Sequence, residues 1–181
     1  MIVWLNGTHG VGKTTTARLL QPLVPGSHVL DAEKVGEVLM DVRPPLPDLG
    51  DFQHWPPWRP LVVETARRLL EHTGGVLIMP MTVLIEAYWR EIRQGLDHHG
   101  IPVRHLLLHA DEATLRRRIA DDAVMGPSDF RDSRIAPYAE ALEGWLRDEA
   151  EVIDTTHRPA DQVARAIAAG LVDRERVLPL R

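Results

Sequence analysis

The segment from Gly7 to Thr14, with the sequence GTHGVGKT, constrains the fold of this chain more than any other feature. It matches the pattern G-x-x-x-x-G-K-[ST], which is typical of a phosphate-binding loop between a strand and a helix. An apolar run over residues 1–5 predicts a buried strand before it, and residues 13–21 predict a helix that ends before Pro22. A chance match in a surface turn is the alternative, but these flanks favour the phosphate-binding loop.

The chemistry of this loop follows from its residue types. Gly7, Gly10 and Gly12 allow main-chain N–H groups to point inward, where they and the positive end of the helix form a cradle for an anion. Lys13 adds a positive charge for the β- and γ-phosphates, and the hydroxyl of Thr14 is a ligand for Mg²⁺. The loop therefore predicts ATP and Mg²⁺ as cofactors. The expected nucleotide-binding residues are Gly7, His9, Gly10, Val11, Gly12, Lys13, Thr14, Thr15 and Arg118.

Composition limits the class of protein and its partners. The chain has 181 residues, a formal net charge of −5 and no cysteine. This length predicts a single domain over residues 1–181, and the negative charge disfavours a broad nucleic-acid interface. The lack of cysteine excludes disulfides, thiolate nucleophiles and cysteine-bound zinc. Since no apolar run is long enough to span a membrane and no basic leader region is present, we expect a cytoplasmic monomer or homodimer.

Apolar runs alternate with helical periodicity along most of the chain. The runs predict five strands, at residues 2–5, 27–30, 76–79, 103–108 and 151–153. Helices are predicted at residues 13–21, 32–41, 60–73, 84–99, 137–148 and 159–169, with one more capped by Asp111. Strands that are apolar throughout and joined by helices predict an α/β fold, in which a parallel sheet is covered on both faces. Ligands of such sheets bind beyond the carboxyl ends of the strands.

Two segments interrupt this alternation. Residues 43–60 contain six prolines together with Phe52, Trp55 and Trp58, and we interpret them as a substrate-binding insertion. Residues 124–136 have the composition of a loop, and we expect a small lid at about residues 120–136.

Asp31, at the end of the second predicted strand, is the first candidate for a catalytic carboxylate. A carboxylate here can orient the hydroxyl of a phosphoryl acceptor, accept its proton and hold Mg²⁺. The alternative is that Asp31 only caps the following helix. The third strand ends in MPMT at residues 79–82 without an acidic residue, so the metal is held by Asp31 or else mainly by water and the phosphates. The same absence disfavours a hydrolytic ATPase and favours transfer to a bound acceptor.

The segment DFQHWPPWR, at residues 51–59, combines aromatic planes with polar and charged side chains. Such a mixture predicts a wall of a small-molecule site, because rings stack on aromatic planes and hydroxyls bond to polar groups. For Trp55 and Trp58 the alternative is that they anchor the loop to the core. The expected substrate-binding residues are Asp31, Asp51, Phe52, Gln53, Trp58, Arg59 and Thr82.

Three arginines are candidates for contacts with the nucleotide. Arg118 lies on a predicted helix, where it can stack on adenine or touch a phosphate. Arg131 and Arg134 lie in the predicted lid and are expected to neutralise charge that develops on the transferring group, as catalytic residues beside Lys13 and Asp31. The alternative for each arginine is a solvated surface charge.

Motifs spread over nearly the whole chain resemble the tunicamycin-resistance (TmrB-like) family. They are WLNG at residues 4–7, GVGKTTT at 10–16, DFQ at 51–53, PWR at 57–59, PMT at 80–82 and IDTT at 153–156. The phosphate-binding loop alone is shared by many families, whereas the DFQ and PMT segments are much more specific. The chain is also similar, more distantly, to chloramphenicol phosphotransferase and to shikimate-type kinases.

The resemblance implies a three-layer P-loop kinase fold, with a five-stranded parallel sheet in the order 2-3-1-4-5 and an arginine-bearing lid. It also implies ATP binding and a link to nucleoside-like antibiotics. In the more distant relatives a carboxylate after the second strand, here Asp31, serves the acceptor hydroxyl. The family further implies membrane attachment through a C-terminal amphipathic segment, which residues 171–181 disfavour because they are short, mixed in charge and broken by Pro179.

These features favour an ATP-dependent phosphotransferase that acts on an alcohol group of a small molecule, such as the nucleoside-like antibiotic tunicamycin. One alternative is a protein that binds ATP and sequesters the antibiotic without chemistry. Another is a nucleoside or nucleotide kinase, which the tryptophan-rich segment disfavours because monophosphate acceptors need a more basic site.

Overall fold

The first strand is buried along its whole length and lies at the centre of the sheet. The computed structural model describes the backbone of residues 1–177 and the side chains of residues 1–171. The strands are β1 Ile2–Asn6, β2 Ser27–Val29, β3 Val76–Pro80, β4 Val103–His109 and β5 Glu151–Asp154. All neighbouring strands pair in parallel, in the order β2-β3-β1-β4-β5, which confirms the order that the resemblance implies.

Helices cover both faces of this sheet, as the alternation of elements predicts. They are α1 Lys13–Leu20, α2 Glu33–Met40, α3 Trp58–Thr73, α4 Glu86–His98, α5 Glu112–Ala120, α6 Asp129–Ser133, α7 Ile135–Ala141, α8 Arg147–Glu149 and α9 Ala160–Val177. A π-helical turn, Leu142–Leu146, joins α7 to α8, and Phe52–His54 forms a 3₁₀ turn. Helix α1 packs against α9, and α3 packs against α4. Between the layers lies a core with many fully buried apolar side chains.

Most element boundaries agree with the prediction, and the exceptions have local causes. Helix α3 begins at Trp58, two residues earlier than expected, because Pro60 is tolerated in a first helical turn, where its missing N–H is not needed. The segment expected to be a loop over residues 124–136 contains α6, whose N-cap Ser128 accepts a hydrogen bond from the Arg131 N–H. Asp111 caps α5 as predicted, since its carboxylate accepts a 2.7 Å hydrogen bond from the Thr114 N–H.

The C-terminal helix is longer than predicted. Helix α9 extends to Val177 rather than to about residue 169. Residues 178–181, the end of the segment that bears on membrane attachment, lie outside the described residues. Within the described part of the chain, no helix has both the length and the hydropathy that crossing a bilayer requires.

A hydrogen-bond network around Asn6 holds the end of β1 in place. Its side-chain oxygen accepts bonds from the N–H groups of Gly7 (2.8 Å) and Val83 (2.9 Å), and its Nδ2 donates to Val83 O at 2.9 Å. The remaining Nδ2 hydrogen points to Nε2 of His105, 3.2 Å away. Both side chains are buried, and burial lowers the pKa of His105 to about 4. The imidazole is therefore neutral at physiological pH, with Nε2 as the acceptor.

The burial of His105 predicts that the folded protein loses stability in acid. The unfolded chain protonates His105 below about pH 6.5, whereas the folded protein resists protonation until about pH 4, so folding stability falls as pH decreases through this window. Between pH 7.5 and pH 5, the wild type should lose about 2 kcal/mol more than His105→Gln, which retains a hydrogen-bond acceptor. Urea unfolding at the two pH values measures this difference. The exposed His28→Gln is the control, and equal losses in wild type and His105→Gln would contradict the assignment.

Candidate active site

The loop between β1 and α1 has the backbone geometry of a phosphate cradle. Gly7 and Gly10 have φ angles of +131° and +82°, which disfavour any residue with a side chain. A Cβ atom on Gly7 would lie 2.5 Å from the carbonyl oxygen of Leu108, and one on Gly10 would lie 3.1 Å from that of Leu115. Glycine is therefore required at both positions. The loop packs directly on the end of β4 and on α5, and its N–H groups are available to an anion at the start of α1.

Lys13 lies folded across this loop. Its Nζ donates 2.9 Å hydrogen bonds to the carbonyl oxygens of Gly7 and Thr8. Burial lowers its pKa to about 8, although the nearby carboxylates of Glu33 and Asp31 act in the opposite direction. An ammonium with so little solvation gains strongly from a phosphate partner, so the residues fit a bound triphosphate.

The residues at the start of α1 also fit a magnesium ion that is coordinated mainly by phosphates and water. Thr14 is exposed in the first turn of α1, where its hydroxyl can be a ligand. The described residues contain no cluster of three or more His, Asp or Glu side chains that could hold a metal without a nucleotide. A metal with one hydroxyl ligand and one or two carboxylates from the protein is typical of Mg²⁺ sites that form with the nucleotide.

A small cavity of about 230 Å³ lies beside the loop and is lined by residues of α1, α5 and the start of α9. Its lining includes Val11, Thr15 and Arg118, which the sequence predicted as nucleotide-binding residues, and also Thr155 and Arg158. Arg118 donates hydrogen bonds to the carbonyl oxygens of Gly10 (3.2 Å) and Thr155 (2.6 Å). It therefore joins the glycine loop to the segment after β5.

A second cavity, of about 640 Å³, is lined at one point by His9 of the glycine loop. Seven predicted site residues line it: His9, Asp51, Phe52, Gln53, Thr82, Arg131 and Arg134. The Thr82 hydroxyl donates a 2.7 Å hydrogen bond to the Gly7 carbonyl oxygen, which joins the end of β3 to the loop. The pKa of His9 is lowered to about 3, first by burial and then by the charges of Lys13 and the two lid arginines, so its imidazole is neutral.

Glu33 lines this cavity, and the sequence analysis did not include it among the site residues. Burial and the neighbouring charge of Asp31 raise the pKa of Glu33. The carboxylate of Asp31 itself accepts a 3.0 Å hydrogen bond from the Glu33 N–H, so it supports the first turn of α2, although the N-cap residue of this helix is Ala32. Asp31 is not among the residues that line the cavity. No local pattern in the sequence distinguishes Glu33 from an ordinary acid in a first helical turn.

The two lid arginines both face the cavity and both form ion pairs. Arg134 contacts Asp51 at 2.7 Å, and its guanidinium lies 4.6 Å from the centre of the Phe130 ring. Arg131 contacts Asp122 at 2.8 Å. Thr8 donates a 3.3 Å hydrogen bond to the Arg134 carbonyl oxygen, which connects the lid to the glycine loop. The arginines are thus held in position beside the place where the loop would present a terminal phosphate.

Two of the predicted substrate-binding side chains, Trp58 and Arg59, are buried and lie outside the lining of the large cavity. The side chain of Trp58 is completely buried, and its indole N–H donates to the Ala32 carbonyl oxygen at 3.3 Å, as in the alternative interpretation of a core anchor. Arg59 pairs with Glu91 on α4 and donates to the Gln53 carbonyl oxygen at 2.7 Å. Neither lines the large cavity, because α3 begins at Trp58 and directs both side chains into its packing with other elements.

Phe52 reaches the cavity because of a glycine on α2. Its ring packs 5.4 Å from the Trp58 ring, between centroids, and covers Gly36. A Cβ atom on Gly36 would lie 2.5 Å from the Phe52 ring. Gly36 therefore sets how closely the 3₁₀ turn at Phe52–His54 approaches α2.

Comparisons with known proteins agree with this architecture. The AAA domain family matches residues 2–144. The chain is similar to the tunicamycin resistance protein of Deinococcus radiodurans, with 31% identity, 94% of each chain covered and a TM-score of 0.77. A Janibacter sugar kinase (21% identity, 94% and 93% covered, TM-score 0.68) and a Sinorhizobium meliloti gluconokinase (16%, 94% and 91%, 0.64) share the fold. No curated protein sequence matches the chain.

The lowered pKa of Lys13 predicts that nucleotide binding takes up protons. At pH 8 about half of the Lys13 side chains are neutral, and a bound triphosphate favours the charged form. Binding of ATP with Mg²⁺ should therefore take up roughly half a proton at pH 8 and clearly less at pH 7. Calorimetric titrations in two buffers with different ionisation enthalpies measure this number. Proton uptake that is zero at pH 8, or larger at pH 7 than at pH 8, would contradict the assignment.

The contact of Phe52 with Gly36 predicts an unusual effect of alanine in a helix. Gly→Ala normally stabilises a helix interior by about 0.5–1 kcal/mol. Gly36→Ala should instead destabilise the protein by about 1–3 kcal/mol, because the added methyl group displaces the Phe52 ring. Gly144→Ala is the matched control, since its Cβ meets open space, and it should be stabilising. Urea unfolding of both variants measures the difference, and a stabilising Gly36→Ala would show that Phe52 does not occupy this position.

Proposed function

Because the chain belongs to the AAA domain family and to the tunicamycin-resistance proteins, with a P-loop kinase-like fold, we propose that it is an ATP-dependent phosphotransferase for a small-molecule acceptor. The observation that carries this proposal is the position of the 640 Å³ cavity. It shares one wall with the glycine loop, and carboxylate, hydroxyl and guanidinium groups line it. A nucleotide on the loop and an acceptor in the cavity would meet at Lys13.

The nucleotide end of the proposed site is built from the loop and α1. The loop N–H groups and Lys13 bind the β- and γ-phosphates, and Arg118 and Thr155 border the base. Thr14, with Asp31 and the phosphates, would hold Mg²⁺, which neutralises charge on the phosphate oxygens. These assignments rest on the cradle geometry and on the exposed hydroxyl of Thr14.

At the acceptor end, Glu33 is the proposed general base. Its carboxylate lines the cavity, and its raised pKa suits a group that accepts a proton near neutral pH. As the acceptor oxygen forms its bond to the γ-phosphorus, the bond to the ADP oxygen breaks and the hydroxyl proton passes to Glu33. The proton-accepting role that the sequence predicted for Asp31 is thus assigned to Glu33, while Asp31 would serve the metal and supports the first turn of α2.

The lid arginines are proposed to stabilise the transferring group. Arg131 and Arg134 face the cavity from the lid, and phosphoryl transfer spreads negative charge over the equatorial oxygens of the transition state. Asp51 and Asp122 hold the two guanidinium groups in place, so little side-chain entropy remains to be lost when the phosphate binds.

The proposed acceptor is a nucleoside-like antibiotic such as tunicamycin, and the proposed compartment is the cytoplasm, where ATP is available. The Deinococcus radiodurans relative is a tunicamycin resistance protein, which supports the antibiotic as the ligand. Because resistance does not require catalysis, this relative also supports a second candidate function, in which the protein sequesters the antibiotic without modifying it.

Mass spectrometry of acceptors after incubation with ATP and Mg²⁺ tests the transferase. Tunicamycin and a panel of nucleosides should include at least one compound that gains a phosphoryl group. Glu33→Gln should lower kcat by about 10²–10⁴-fold and change the Kd for ATP by a much smaller factor, which reflects only the loss of its charge near Lys13. Glu37→Gln, which changes an exposed carboxylate one turn further along α2, is the matched control with normal activity.

The two candidate functions separate in cells that are exposed to the antibiotic. If transfer is the function, Glu33→Gln and Lys13→Ala should both abolish resistance. If sequestration is the function, Glu33→Gln should retain resistance, Lys13→Ala should lose it, and no compound of the panel should gain phosphoryl mass.

A further inference from the structure

The large cavity is lined by more acidic than basic side chains. Its carboxylates are Glu33, Asp51, Glu86 and Glu140, and its cationic side chains are Arg131 and Arg134. His9 contributes no positive charge near neutral pH, because burial and neighbouring cations lower its pKa to about 3. Glu86 pairs with Arg90 at 2.6 Å, and each arginine of the lining pairs with an aspartate, so the lining charges that form no ion pair within the described residues are the acids Glu33 and Glu140. The charge of this lining therefore disfavours an anionic group on a bound acceptor.

Each arginine of the cavity is already paired with an acid. Arg134 contacts Asp51, whose side chain is only 9% exposed, and Arg131 is itself 9% exposed and contacts Asp122. Each pair is close to neutral as a whole, so it attracts a carboxylate or phosphate on the acceptor less than an unpaired arginine would.

The rest of the cavity wall is apolar. Met81, Leu84 and Ile85 follow β3, and Ala141 and Trp145 face the cavity from the end of α7 and the π-helical turn. The Trp145 indole N–H donates a 3.2 Å hydrogen bond to the Leu84 carbonyl oxygen, which fixes the two segments against each other. This wall gives an uncharged ring or chain a surface on which it can be buried.

We infer that the acceptor is a hydroxyl compound that carries no negative charge, either neutral or cationic, and that an anionic derivative of the same skeleton is rejected. This inference rests on the proposed phosphotransferase, because only a transferase has an acceptor. The charge and the apolar wall of the cavity do not depend on that proposal. A nucleoside, for example, fits this class, whereas its monophosphate does not.

A matched pair of fluorescent probes tests the cavity without any chemistry. N-phenyl-1-naphthylamine is neutral, and 1-anilinonaphthalene-8-sulfonate carries one negative charge on the same skeleton. The neutral probe should bind with at least a tenfold lower Kd. In the double variant Glu86→Gln/Glu140→Gln the anionic probe should bind at least threefold more tightly, and the neutral probe should be unchanged. Glu143→Gln, an exposed carboxylate outside the cavity, is the control that should change neither.

Each other outcome with the probes contradicts the inference. Equal or tighter binding of the anionic probe would overturn the charge argument, and so would a double variant that behaves like Glu143→Gln. Failure of both probes to bind would overturn the argument from the apolar wall.

Turnover of matched acceptors separates this inference from the proposed function. Uridine and uridine monophosphate form one pair, and methyl shikimate and shikimate form another. A higher kcat/KM for an anionic member would overturn the inference and leave the phosphotransferase intact. If no compound of the panel is phosphorylated while the neutral probe is preferred, the phosphotransferase is contradicted and the charge selectivity of the cavity stands.

Discussion

The position of the glycine loop depends on β1 and on the Asn6 side chain at its end. Because β1 is fully buried between β3 and β4, the loop leaves the sheet at its centre. Asn6 then bonds to the first loop glycine and to the backbone of Val83. A buried amide is stable only when its hydrogen bonds are made, and two of the bonds of Asn6 are made with the first loop glycine and with the residue after Thr82, which lines the large cavity. Folding and the orientation of the loop therefore depend on the same interactions.

The large cavity is completed by contacts between segments that are distant in the chain. Asp51 and Arg134 are 83 residues apart, and their ion pair connects the 3₁₀ turn to the lid. Arg59, although it does not line the cavity, bonds to the Gln53 carbonyl oxygen and to Glu91, and so holds the same turn against α4. These contacts hold the segments around the cavity in place, and the Asp51–Arg134 pair also neutralises part of the charge of a cavity arginine. The contacts that position the cavity wall therefore also reduce its positive charge.

More of the fold than of the candidate site could be predicted from the sequence. Uninterrupted apolar runs and glycine or aspartate boundaries located the strands and most helices, while the strand order came from the family resemblance. The burial of Trp58 and Arg59 at the start of α3 could not be predicted, because an aromatic residue with an arginine suits a ligand wall and a helix start equally well. Glu33 was missed because an acid in a first helical turn is common without any function. Its exposure to the cavity depends on contacts that no local pattern contains.

The central claim is that the glycine loop binds a nucleoside triphosphate and directs its terminal phosphate into the large cavity. A crystal structure with a non-hydrolysable ATP analogue and Mg²⁺ tests this most directly. The account predicts the β- and γ-phosphates on the N–H groups of residues 10–14 beside Lys13, with the γ-phosphate at the wall that Glu33 and Thr82 share. A triphosphate bound elsewhere, or a γ-phosphate that points away from this cavity, would contradict it.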